Sequence, residues 1–439
     1  MVVYAEMATQ LIKPSSPTPP HLGKHHLSFL DQLAPPTYIH IIFYFQPYHQ
    51  YSNPQTISRK LKQSLSDALS VYYPLAGRLI DNSWIDCNDE GAEYLEAQFI
   101  DDRVSDIVEN PRIDELKKYV PASPFGGADI QLAVQLSFLG CGGTTIGICM
   151  SHRLADVMSL VTFVNAWATA CREHAKTITP RPIFDLSVRF PPADFSRYFL
   201  PPPEAVAETP QKVVTKRFVF NKQKLEALRK ASTGPLMEKP TRVEAVSAFI
   251  WRHLIECGGK NRNSTVFAAT HAVDIRSRAS PPLPGRFFGN ACARAMAMIR
   301  TTDSGERVEY RDLAIKLRET IIKANSDYVR RLEDGDAFLK YYSGNEENDP
   351  EFKEGRKTLE VCGFTSWCRL GAYDVDYGWG KPAWVSIIGV PQKNLVFFLG
   401  TKSGDGIEAW VSMVEQDIAK IETSYCLLDQ QIITDCVVK

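Results

Sequence analysis

Short apolar runs and longer amphipathic stretches alternate along the chain. The runs "YIHIIFYF" (38–45), "IQLAVQLSFL" (130–139), "TTIGICM" (144–150), "VVTKRFVF" (213–220), "AWVSIIG" (383–389) and "NLVFFLG" (394–400) are rich in Val, Ile and Phe, and several alternate with polar residues. They predict strands. Helical spacing appears over 56–70, where Ile57, Leu61, Leu65, Ala68 and Leu69 share a face, and over 154–167 through Leu154, Met158, Val161, Val164 and Trp167. It returns at 242–256, 311–323 and 408–421. The two kinds of element are interspersed without strict strand–helix–strand alternation. This predicts an α/β (mixed) protein, with mixed sheets covered by helices rather than one doubly wound parallel sheet.

The pattern breaks once. Residues 180–210, "PRPIFDLSVRFPPADFSRYFLPPPEAVAETP", hold eight of the 28 prolines. Proline fixes φ and removes a backbone donor, so this stretch cannot run through the middle of a sheet or helix. It predicts a crossover over 179–212 between an N-terminal domain, 1–178, and a C-terminal domain, 213–439. A chain of 439 residues exceeds one ordinary core, which agrees with that division.

Composition narrows the partners. Net charge is −1, so no long-range field recruits nucleic acid or an anionic membrane, and a small-molecule partner is expected. No run approaches the ~20 apolar residues of a membrane span, and the first residues lack the apolar core of a signal peptide. None of the ten cysteines forms a C-x-x-C or a zinc-spaced Cys/His group. Reduced, mostly buried thiols in a cytoplasmic protein without a metal site are therefore expected.

The candidate chemistry lies in "GICMSHRLADVMSL" (147–160). His152 follows an apolar strand and precedes a helix, a place where a rigid scaffold presents reactive side chains. An imidazole titrates near neutrality and can take a proton from a hydroxyl. Asp156, four residues on, can orient the ring or simply cap the helix that follows. With nine histidines, about half an H-x-x-x-D match arises by chance, so the motif alone does not decide.

Other segments add to it. "KPSSPTPP" and "LSFLDQLAPP" near the N-terminus, "YYPLAGRL" (72–79), "TRVEAVSAFIWR" (241–252), "AVDIRSR" (272–278), "FFGNA" (287–291) and "TSWCRLGAYDVDYGWGKP" (365–382) occur in one order over nearly the whole chain. Together with "SHRLAD" they resemble the plant BAHD acyl-CoA-dependent acyltransferases, and the N-terminal block is most similar to the branch of alkaloid acetyltransferases. The match departs from the family pattern at Val157, where glycine is frequent, and at Tyr377 of "DYGWG", where phenylalanine is usual.

The resemblance implies two chloramphenicol-acetyltransferase-like domains with a channel at their interface. It implies acyl transfer, expected to be acetyl transfer from acetyl-CoA to an alcohol acceptor, with His152 as general base. On the same ground Thr365 and Trp367 would stabilise the oxyanion, and Asp156 would pair with Arg276 to hold the turn that carries His152. Asp376, Gly378, Trp379 and Gly380 would be structural, with Asp376 accepting from an arginine, and Asn290 would lie near coenzyme A. No resident cofactor, metal, nucleic acid or membrane is implied, and a monomer is expected. A catalytically silent homologue acting as a scaffold, malonyl transfer, and transfer to an amine are the alternatives.

Overall fold

The strand-length runs become the sheets that organise the chain. The computed structural model describes residues 5–48, 53–122, 130–173, 178–193, 212–261, 266–300, 308–335, 337–339 and 359–437. Residues 194–211, most of the proline-rich crossover, lie outside the described residues. In chain order the strands are β1 Ala5–Ile12, β2 Lys24–His26, β3 Tyr38–Phe45, β4 Arg78–Ile80, β5 Trp84–Asp86, β6 Ala92–Phe99, β7 Leu132–Leu139 and β8 Thr144–Ser151. They continue with β9 Val213–Phe220, β10 Val266–Asp274, β11 Cys292–Arg300, β12 Leu359–Ser366, β13 Trp384–Ser386, β14 Leu395–Gly400 and β15 Ile407–Val414. The helices are α1 Phe29–Leu33, α2 Pro54–Leu69, α3 Val104–Glu109, α4 Val157–Glu173, α5 Leu186–Arg189, α6 Lys222–Ala231, α7 Arg242–Asn261, α8 Tyr310–Lys323, α9 Ser326–Leu332 and α10 Glu415–Val437.

The chain divides into two units. The first comprises Met1–Ala193, Leu283–Ala291 and Arg369–Ile388; the second comprises Asp194–Pro282, Cys292–Cys368 and Gly389–Lys439. Each holds a six-stranded mixed sheet. In the first the order is β1-β6-β7-β8-β3-β13, with β6 and β7 parallel and the other neighbours antiparallel. In the second it is β11-β10-β12-β14-β15-β9, with β12 parallel to both β10 and β14.

This distribution differs from the linear division at 178 and 213. Two later segments return to the first unit, and their packing explains why. β13 pairs with β3 and closes that edge of the first sheet, and the "DYGWG" rings bury against Phe45 and Trp167. Segment 283–291 is tied by backbone bonds from Ile183 to Arg286 and from Phe288 to Ile183.

Local sequence accounts for the elements near the proposed base. Every residue of β8 is buried, and Ile148 stands between Val134 of β7 and Ile41 of β3. Full burial of such a side chain contributes about 1.5–3 kcal/mol, which fixes the register and hence the point where β8 ends. α2 starts at the Asn53 cap with Pro54 in its first turn, and it buries the predicted face of Ile57, Leu61, Leu65, Ala68 and Leu69. α4 begins three residues later than its periodicity suggests, because residues 152–156 form the turn.

One predicted helix is divided. Over 408–421 the chain is first β15, buried along its whole length between β14 and β9, and becomes α10 only at Glu415. A strand buried on both faces carries a continuous apolar run, which periodicity cannot distinguish from a buried helix. Its charged residue, Glu408, is accommodated by two hydrogen bonds from Arg217, at 2.6 and 2.8 Å.

Candidate active site

β8 ends at Ser151, and the next residue opens the turn. The His152 backbone N–H donates to Thr37 O at 2.9 Å, while Leu154 and Ala155 bond back to Ser151 O. The half-buried imidazole is thereby fixed at the end of a central strand rather than on a free loop. Burial holds its pKa below the ordinary 6.5, opposed by its hydrogen bonds and by the nearby charge of Asp156. The ring is thus neutral at pH 7.

The partner of the ring is Asn290, not Asp156. Asn290 Oδ1 lies 3.0 Å from His152 Nδ1. The Asn290 amide donates to Asp31 Oδ1 at 2.9 Å and to His152 O at 2.8 Å. Both of these oxygens are acceptors, so they claim the two amide hydrogens and leave Oδ1 facing the ring. Nδ1 must then carry the proton, and Nε2 keeps its lone pair.

Asp31 is 2% exposed, and its carboxylate accepts four hydrogen bonds. Oδ1 takes the Asn290 backbone N–H and side-chain amide; Oδ2 takes the Ser28 N–H at 2.8 Å and hydroxyl at 2.6 Å. Ser28 and Asp31 form a reciprocal capping box at the start of α1. Burial raises the Asp31 pKa above its ordinary value, and the four hydrogen bonds pull it back down.

Asp156 faces the helix and the "FFGNA" segment. Its Oδ1 accepts the Ser159 N–H at 2.9 Å, capping α4, and its Oδ2 accepts the Ala291 N–H at 3.1 Å. The segment is held from the other side as well, since Ser159 Oγ bonds both Gly289 O and Gly289 N. Gly289 has φ +140, a backbone conformation that residues with a side chain rarely adopt, so this point of the segment calls for glycine.

"DYGWG" forms a turn against α4. Asp376 Oδ1 accepts the Gly378 and Gly380 N–H groups at 2.8 and 3.0 Å; the expected arginine contact is instead made by Arg172 to the Asp376 backbone oxygen, at 3.4 Å. Gly378 and Gly380 have φ +107 and +97. Tyr377 and Trp379 stack at 5.5 Å, and Tyr377 meets Trp167 edge-on at 4.9 Å.

The Transferase family model matches residues 5–427. The chain is 39% identical to stemmadenine O-acetyltransferase of Catharanthus roseus, covering 96% of this chain and 97% of that one. It is also 39% identical to vinorine synthase of Rauvolfia serpentina, covering 95% of each. The chain belongs to the BAHD acyltransferase family. The crystal structure of vinorine synthase agrees with this BAHD fold at a TM-score of 0.78 and 38% identity, covering 94% of this chain and 96% of that one. F. sporotrichioides TRI101, complexed with coenzyme A and T-2, matches in fold at a TM-score of 0.69 and 18% identity, covering 91% of this chain and 97% of that one.

Three residues that the BAHD motifs single out belong to the second unit. Thr365 is the penultimate residue of the paired β12–β14 ladder, opposite Phe397. Trp367 is 8% exposed, donates its backbone N–H to Phe398 O at 2.7 Å and meets Phe397 edge-on. Arg276 is 3% exposed and bonds Asp274 through Nη1 at 2.9 Å. Asp31 carries no chemical signal in the sequence beyond the Ser28–Asp31 capping-box pattern, which marks a helix start. No helix among the described residues is long and apolar enough to cross a membrane.

Proposed function

We propose that this BAHD acyltransferase transfers an acetyl group from acetyl-CoA to a hydroxyl of a plant alkaloid, with His152 as general base. The observation that carries the mechanism is the bond from His152 Nδ1 to Asn290 Oδ1, which leaves the Nε2 lone pair available. The names of the two plant relatives support an alkaloid acceptor. The coenzyme A complexed with TRI101 supports the acyl-CoA co-substrate. As the acceptor oxygen bonds to the thioester carbonyl carbon, its proton passes to His152 Nε2. The tetrahedral intermediate then collapses with loss of the C–S bond, and the leaving thiolate takes that proton from the imidazolium. The step needs no acyl-enzyme and no resident cofactor.

The family motif alone supports Thr365 and Trp367 as donors to the oxyanion, a contribution often among the largest in acyl transfer. It also supports Arg276 as the partner of Asp156. Asn290 is better read as a partner of the imidazole than of coenzyme A, because its amide hydrogens are both engaged within the protein. Asp156, Asp376, Gly378, Trp379 and Gly380 are read as structural. A cytoplasmic location and a monomer are also proposed; that one chain supplies the base and its supports agrees with the monomer.

Coenzyme A release over a panel of acetyl-CoA, malonyl-CoA, alkaloid alcohols and amines tests this reading. Acetyl-CoA with an alkaloid alcohol should turn over fastest, and His152→Ala should lose at least about a hundredfold in kcat. Equal release by wild type and His152→Ala would remove the general base. Release with no member of the panel would favour a silent homologue.

A further inference from the structure

Behind the His152–Asn290 pair lies a buried carboxylate to which the reaction as proposed gives no part. Asp31 does not touch the imidazole. It receives two hydrogen bonds from Asn290, one from the backbone and one from the side chain, and so fixes both the position and the rotation of that amide. An amide turned by 180° would direct its NH2 group at His152 Nδ1, forcing Nδ1 to accept and moving the ring proton to Nε2. Nε2 would then have no lone pair for the acceptor hydroxyl.

The alternatives for Asp31 are weaker on geometry. A carboxylate needed only for the α1 capping box would use one oxygen, Oδ2, which Ser28 already fills with two donors. The second oxygen is turned to Asn290, across 259 residues of sequence, and Asn290 is 1% exposed.

We propose that Asp31 is a positioning residue of the transfer reaction, holding the Asn290 amide in the one orientation that keeps the proton on His152 Nδ1 and the lone pair on Nε2. Its negative charge also favours the imidazolium that forms when the acceptor proton arrives, because the Asn290 amide lies between the two charges and is polarised by both. The inference rests on His152 acting as the base. It is separable from that reading, because it concerns which nitrogen carries the proton.

The test uses the full chain with 15N-labelled histidine, and His152→Ala identifies the His152 signals. At pH 8 the wild-type ring should show a protonated Nδ1 and an unprotonated Nε2. Asp31→Asn, whose own amide must present NH2 either to Ser28 or to Asn290, should show a mixture of the two tautomers. Its kcat should fall roughly 10- to 100-fold, taking as guide the range seen when hydrogen-bond partners behind metal-ligating histidines are removed. KM for acetyl-CoA should change less than about twofold. The double variant Asp31→Asn/Asn290→Ala should be no slower than Asn290→Ala alone, as expected of residues acting in series.

Ser64→Ala controls for stability, because it removes the 3.0 Å acceptor of the Trp167 indole in the same unit, away from this chain of bonds. It should lower Tm without altering tautomer or kcat. An Asp31→Asn protein with wild-type tautomer and kcat would overturn the proposal while a dead His152→Ala left the base in place. If Asp31→Asn does not fold, the wild-type spectrum still decides, since a proton on Nε2 overturns the proposal and a proton on Nδ1 supports it. Full turnover by His152→Ala would overturn both readings.

Discussion

A histidine that serves as a base must be unprotonated when substrate arrives. Burial lowers the His152 pKa below 6.5, so the free enzyme already holds the neutral ring at pH 7. The expected consequence is a kcat/KM that is level above neutral pH and falls tenfold per unit once pH drops below the pKa of the ring. A pH–rate profile at fixed acetyl-CoA checks this; an acid limb centred above pH 7 would contradict a lowered pKa. A second residue-scale prediction concerns Tyr377, the aromatic that departs from the family pattern. Its hydroxyl is buried and finds no hydrogen-bond partner among the described residues, and the same holds for the hydroxyl of Tyr94. An unpaired buried hydroxyl costs about 1–3 kcal/mol. Tyr377→Phe, which keeps the ring between Trp167 and Trp379, should therefore leave Tm unchanged or raise it by a few degrees. A marked fall in thermal unfolding experiments would mean that the hydroxyl has a partner worth keeping.

At the scale of elements, the turn at 152–156 depends on pieces far apart in sequence: Thr37 before β3, the 289–291 segment and the first turn of α4. Asp156 joins two of them. Asp156→Asn replaces one acceptor oxygen by an NH2 group, which faces either the Ser159 or the Ala291 N–H. That should cost about 1–3 kcal/mol and lower Tm by several degrees, with kcat reduced less than about tenfold. Differential scanning calorimetry together with the coenzyme A assay separates this from a triad role, in which kcat would collapse while Tm held. The turn also shows how far sequence pattern reaches. β3 and β9 match their predicted bounds residue for residue, and β8 differs by one residue, because each is a strand-length apolar run with polar neighbours. The apolar spacing of β15 reads as helical because both of its faces are buried. β13 was legible as a strand, but its place beside β3 was not, since pairing across 342 residues leaves no local trace. His152 could be singled out, because a reactive residue type stood at a strand end. Asn290 and Asp31 could not be joined to it, because their meaning lies in which hydrogens each one uses.

Across the whole molecule, the buried histidines set how stability responds to acid. Burial holds His25 and His40 in the first unit and His271 in the second at about 4, below the ordinary 6.5. Between pH 6.5 and 4 the unfolded chain binds these protons and the folded chain does not, so stability rises with pH in that window and is lost as pH falls through it. Each group contributes up to about 1.4 kcal/mol per pH unit. His152 and His253, also lowered by burial, act in the same sense. Asp31 acts in the opposite sense, because its raised pKa lets the folded state keep a proton above the ordinary 3.8, but it is one group against five. Tm should accordingly change little between pH 8 and 7 and fall progressively from pH 6.5 to 5. His271 offers the sharpest check. Its ring stacks on Phe364 at 4.9 Å and 12°, and its Nε2 has no hydrogen-bond partner among the described residues. His271→Phe keeps the stacked shape and removes the titrating nitrogen, so the acid slope should flatten by one group's share. Should the units unfold in separate calorimetric transitions, only the one belonging to the second unit should flatten. An acid slope unchanged by His271→Phe would show that this imidazole takes no part in the response.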